Sequence, residues 1–92
     1  MDRKEFGQFA MALKTYFPRE SLLPNTQAME LWYRQLEDID YKHAEGALNR
    51  WVRESKWSPT IADIREMADK VEKSEKLRGL LNQIGRRDLL EG

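Results

Sequence analysis

Four side chains in one short stretch could do chemistry. Glu37, Asp38 and Asp40 form the densest acidic group of the chain, and His43, the only histidine, follows closely. Neighbouring carboxylates can shuttle protons or hold a hard cation. The supporting chemistry is missing. The chain has no cysteine, so it has neither a thiolate nucleophile nor a thiolate metal ligand. Calcium-loop spacing, a phosphate-cradling glycine loop and a nucleophile–base arrangement are all absent from the sequence. A positional reading is simpler. The "LEDID" stretch ends one helix and caps the next, because an Asp at a helix start accepts from its free N–H groups. His43 then reads as a boundary residue on the following helix. No catalytic residue, cofactor site or metal site is assigned, and the chain is read as a non-enzyme.

Those residues must be positioned by helices. Helix formers dominate, glycine is scarce and β-branched residues are few, which predicts an all-α fold. The first helix is expected from Arg3 to about Tyr16, with Asp2 and Glu5 as a capping box. Phe6, Phe9, Ala10, Leu13 and Phe17 form its apolar face, and Pro18 ends it. The second starts at Asn25 or Thr26, with Ala28, Leu31, Trp32, Leu36 and Ile39 inward and Tyr33 beside that face. Asp38 or Asp40 caps a third helix, from Tyr41 to about Glu54, that buries Tyr41, Ala44, Leu48, Trp51 and Val52. Gly46 inside it costs roughly 1 kcal/mol relative to Ala, which a closely packed neighbouring helix would explain.

In "WSPTIADIRE", Pro59 disfavours helical geometry at Ser58. Thr60 is a cap with Asp63 three residues on, and Ser58 is the alternative cap. Ile61, Ile64, Ala68 and Val71 then make one stripe. Leu77, Leu80, Leu81 and Ile84 make another. At the helical period the second stripe lies roughly opposite the first. The helix therefore breaks near Ser74, or it continues and offers a second face to something else. The expected architecture is a compact bundle of about four helices over residues 1–74, with a tail over 75–92 that is either helical or disordered.

Composition narrows the function. Lys+Arg and Asp+Glu are equal at 16 each, which argues against strong direct nucleic-acid binding and against a polybasic membrane contact. No segment approaches membrane-spanning length, so a cytoplasmic domain is expected. A helix-turn-helix reader is conceivable on architecture, but Asp63, Glu66, Asp69 and Glu72 surround Arg65, Lys70 and Lys73 on the helix that would read DNA. Protein binding fits better. The candidate contact residues are Tyr33 and Trp57 as aromatic anchors, and Leu77, Leu80, Leu81 and Ile84 as an amphipathic tail for a partner's groove.

A pattern runs through the chain: a first helix ending in "YFP", then "LWYRQLEDIDY", then Ala44, Ala47, Leu48, Arg50, Trp51 and Val52, then "WSPTIADIRE". It resembles the N-terminal domain of the small phage proteins that load and inhibit a replicative DNA helicase. The likeness covers roughly residues 3 to 70 and rests on core aromatics and helix caps. It implies a compact helical N-terminal domain and a flexible C-terminal part that grips the helicase. It also implies a hexameric replicative helicase as partner, held inactive in ATPase and unwinding. Delivery to the origin would go through an origin-binding replication protein, in the cytoplasm of a bacterial host. The chain departs from the pattern in its short tail. Leu77 to Leu90 is then a shortened helicase contact, or the chain is the structured part of a longer protein. The alternatives are a phage-encoded inhibitor of another host protein and a small helix-turn-helix regulator.

Overall fold

Local side-chain bonds start the first helix. The Asp2 carboxylate accepts from the Glu5 N–H at 2.7 Å, and the Glu5 carboxylate accepts from the Asp2 N–H at 2.9 Å. This satisfies two of the N–H groups that a helix start leaves unpaired. The computed structural model describes residues 1–91, and their side chains as far as residue 82. The described elements are all helices: α1 (Arg3–Tyr16), α2 (Thr26–Leu36), α3 (Tyr41–Glu54) and α4 (Ile61–Glu91). The all-α expectation holds, and the bounds of α1 and α3 match those read from the sequence.

α1 supplies the largest share of the core. Phe6, Phe9, Ala10 and Leu13 are buried along it, and Phe17 is buried just beyond its end. Leu36, Ala44, Leu48 and Ile64 close around them from the other three helices. Trp32 and Trp51 pack against this cluster but are only half-buried. Leu23, in the α1–α2 loop, is buried although its φ of 49° lies in the left-handed region that non-glycine residues avoid.

α2 corrects one expectation. Asn25 is the cap, accepting from the Ala28 N–H at 2.8 Å. The inward face is Met29, Trp32, Tyr33 and Leu36, not one containing Leu31, which is 59% exposed. Met29, Trp32, Tyr33 and Leu36 follow the i, i+3, i+4, i+7 spacing of a single stripe. Leu31 projects from the far side, so helical phase outweighs its hydrophobicity.

Asp40, rather than Asp38, caps α3 by accepting from the Lys42 N–H at 2.9 Å. The amino group of Met1 donates to the carbonyls of Glu37 and Ile39 at 2.6 and 2.7 Å. A cation is favoured there because the end of a helix carries partial negative charge. The Gly46 backbone meets α4 closely: a Cβ there would lie 3.2 Å from Val71 Cγ1. The expected close neighbour at Gly46 is therefore α4.

Thr60 and Asp63 make a second reciprocal cap. Thr60 Oγ1 accepts from the Asp63 N–H at 3.1 Å, and Asp63 Oδ2 accepts from the Thr60 N–H at 3.0 Å. α4 then runs unbroken for 31 residues, about 46 Å at the α-helical rise. It does not break at Ser74. Ile64 and Ala68 are buried and Val71 and Glu72 half-buried, but Lys73 through Asn82 are all exposed. α4 thus docks on the body by its first three turns and carries on past it. The molecule measures 59 × 27 × 19 Å.

Candidate functional site

The acidic group comes together in space, though not as a reactive centre. Asp38, Asp40 and His43 line a cleft of about 460 Å³ with Arg65, Asp69 and Glu72 of α4. Each polar group already has a partner. Arg65 holds both oxygens of Asp38, at 2.7 and 2.9 Å, and also donates to the Gln35 carbonyl at 2.8 Å. The Arg65 hydrogen bond keeps the Asp38 carboxyl below its ordinary pKa against the opposing effect of desolvation, and Asp38 raises that of Arg65. Asp40 caps α3. His43 Nε2 lies 3.0 Å from Glu75 Oε2. Lys73 holds Asp69 at 2.9 Å and Lys76 holds Glu72 at 3.1 Å. Glu37 does not line the cleft. Among the described residues no group of three or more acidic or histidine side chains has metal-site geometry. The cleft is a clamp that fastens α4 to the α2–α3 turn.

The same pairing bears on DNA reading by α4. Arg65 is held by Asp38, Lys70 by Glu66 at 3.5 Å, Lys73 by Asp69 and Lys76 by Glu72. Cations already neutralised along a helix leave few charges to release counterions from phosphates.

Tyr33 is half-buried between two groups. Its ring stacks on Phe6, with centroids 5.5 Å apart and planes 15° apart, and the Arg3 guanidinium sits 4.8 Å from its centre. Arg3 is itself held in place by both oxygens of Glu30, at 2.6 and 3.0 Å. That contact draws the Glu30 pKa down and the Arg3 pKa up. Offset aromatic stacking with a cation over the ring fixes the side chain.

Trp57 is the most exposed large apolar residue among those described, at 73%. Its backbone is nevertheless fixed. Its carbonyl accepts from Trp51 Nε1 at 2.7 Å and its N–H donates to Ser55 Oγ at 3.2 Å. The next residue is held too: Ser58 donates from both its N–H and its hydroxyl to the Glu20 carboxylate. The ring therefore stands out in water on a pinned loop.

Leu77, Leu80 and Leu81 are 57%, 55% and 56% exposed, on the part of α4 that has left the body. Ile84 falls outside the residues whose side chains are described. Three leucines at helical spacing form one side of the projecting helix. Tyr33, Trp57 and the leucines are thus not brought into one site. The sequence reading missed the Asp38–Arg65 and His43–Glu75 pairs, whose partners lie 27 and 32 residues apart with no local signal linking them.

A family model matches residues 1–65, well over half of the chain, and it describes the N-terminal domain of the phage gene-thirty-nine protein, a helicase loader/inhibitor. No curated protein and no solved structure matches the chain.

Proposed function

The chain belongs to the family of that phage loader/inhibitor N-terminal domain, and on that premise we propose that it is an adaptor of phage DNA replication. In this reading it binds a hexameric replicative DNA helicase in the cytoplasm of a bacterial host, restrains its ATPase and unwinding, and helps place it at an origin. An origin-binding replication protein would be the second partner. The residues over 1–74 are the scaffold, and the tail over 75–92 is the contact.

One observation carries the choice of contact. Leu77, Leu80 and Leu81 are exposed on a helix that continues after its packing on the body has ended. Leucines at that spacing have nothing to bury against within the described residues. A groove on a partner supplies it, in the helix-in-groove mode. Burying them would gain free energy from apolar area removed from water. The scaffold role rests on the clamp of Asp38, Arg65, His43 and Glu75, which sets the direction in which α4 leaves. No helix among the described residues is long and apolar enough to cross a membrane.

The test is a mixture of the full chain with a bacterial replicative helicase. Complex mass is read by light scattering and ATP hydrolysis by phosphate release. A stable complex with a lowered hydrolysis rate is expected. No complex at micromolar concentration would refute the reading. An unbiased pull-down from host lysate that leaves the helicase behind and enriches another protein would favour the inhibitor of a different host target.

A further inference from the structure

The cations of this chain are not evenly neutralised. Arg3, Arg34, Arg50, Arg65, Lys70, Lys73 and Lys76 each have a carboxylate partner. Arg19, Arg53 and Lys56 have none among the described residues, and they gather at the end of the bundle where Trp57 projects. Lys4, Lys42 and Arg78 also lack one, but they are spread over the starts of α1 and α3 and the projecting part of α4. Arg19 and Lys56 line one cleft of about 210 Å³ with the half-exposed ring of Tyr16. Arg53 lies in the last turn of α3, one turn before Trp57. Glu20 also lines that cleft, but its carboxylate is bound by Ser58, and Glu54 is bound by Arg50 at 3.3 Å. A protein with no net charge therefore has one basic end, with two accessible aromatic rings on it.

We propose that the Trp57 end is a weak single-stranded nucleic-acid contact, in which a base stacks on Trp57 and flanking phosphates meet Arg53, Lys56 and Arg19. Stacking on an exposed ring beside cations is the general means of holding single strands without reading sequence. The surroundings favour a base over a protein side chain. A Trp that anchors a protein interface lies within an apolar surround that excludes water. Trp57 is flanked instead by Ser55, Lys56 and Ser58, and stacking tolerates such a wet rim. The pinned backbone on either side means that little ordering is lost when the ring is covered. This surface is separate from the leucines. Trp57 precedes α4 and Leu80 lies well along it, about 30 Å away at the helical rise. The contact holds whether or not the tail binds a helicase.

The test is a titration of the full chain with a ten-residue oligothymidylate, read by tryptophan fluorescence quenching and by anisotropy of a labelled oligonucleotide. Quenching is expected at low salt. The slope of log affinity against log salt should be about −2, as three phosphate contacts on a single strand require. Trp57→Ala should weaken binding by about five-fold or more and remove most of the quenching. The paired change Arg53→Ala with Lys56→Ala should weaken binding and flatten the salt slope. Both variants should keep the wild-type melting temperature, since the Trp57 ring is exposed and neither cation is paired. Three results would overturn the proposal: no binding at low salt, undiminished binding by Trp57→Ala, or a deca-glutamate peptide displacing the oligonucleotide at equal concentration. The last would mark the end as a site for an acidic protein segment.

Discussion

Replacing Leu80 and Leu81 together by Ser separates a contact surface from a core. Both leucines are more than half exposed, and nothing described packs on them. The folded state therefore loses little burial. Ser is a poorer helix former than Leu by a few tenths of a kcal/mol per residue, so the thermal midpoint should fall by no more than a few degrees, given about 4–8 °C per kcal/mol in a domain of this size. Binding is another matter. Full burial of a Leu side chain is worth about 1.5–3 kcal/mol. Roughly half of each side chain remains to be covered, so the pair would supply about 2–3 kcal/mol of affinity. That converts to a loss of about 30- to 150-fold in the dissociation constant for the helicase. Calorimetric titration measures the affinity, and circular dichroism on the same samples measures the midpoint. A midpoint lowered by about ten degrees or more would make the leucines core residues, while an affinity within about two-fold of wild type would remove them from the interface.

Gly79→Ala should raise helix content and stabilise the projecting turn by up to about 1 kcal/mol, because a Cβ there meets nothing within 4 Å. If the partner receives a formed helix, its affinity rises in the same variant, and unchanged dichroism would show that the turn was not limited by this glycine. Gly46→Ala gains the same propensity, but its Cβ would press on Val71, and overpacking costs about 1–3 kcal/mol. A lowered midpoint is expected, restored in part by adding Val71→Ala; a midpoint that rises in the single variant would show that α4 yields at Val71. The Asp38–Arg65 pair should contribute stability above the unfolded Asp pKa and lose it as the pH falls through the lowered folded value. Both side chains are largely solvated, so the contribution is under about 1 kcal/mol. Asp38→Asn should therefore be less stable than wild type near neutrality, with the difference vanishing below roughly pH 3. A constant difference across that range would assign the effect to something other than the charge.

How much of this was legible varies from element to element. The ends of α1 were readable because Asp2 and Glu5 bond each other across three residues, and Pro18 closes the other end. The start of α4 was readable for the same reason at Thr60 and Asp63. The face of α2 was not. Trp32 and Leu36 fit two neighbouring stripes, one through Leu31 and one through Met29 and Tyr33, and hydrophobicity alone points to the wrong one. Leu31 differs from Tyr33 only by what lies opposite: Phe6 and Arg3 on α1 receive the Tyr ring. The acidic group shows the same limit. Glu37, Asp38 and Asp40 look alike in the sequence, yet one is free of the cleft, one is held by Arg65 and one caps α3.

By itself the sequence determined helix class, caps, breaks, charge balance and the two opposed stripes of the last helix. These depend on contacts within three or four residues and on the helical period, so they are written locally. Only the tertiary structure decided that α4 stays unbroken past Ser74, where its packing ends, and which charges are already paired. Those outcomes depend on Val71 against Gly46, Arg65 against Asp38 and Glu75 against His43. Each joins residues that are close only after the helices have packed. The leucines beyond that clamp and Trp57 at the opposite end of the bundle are exposed for one physical reason: no other described part of the chain reaches them.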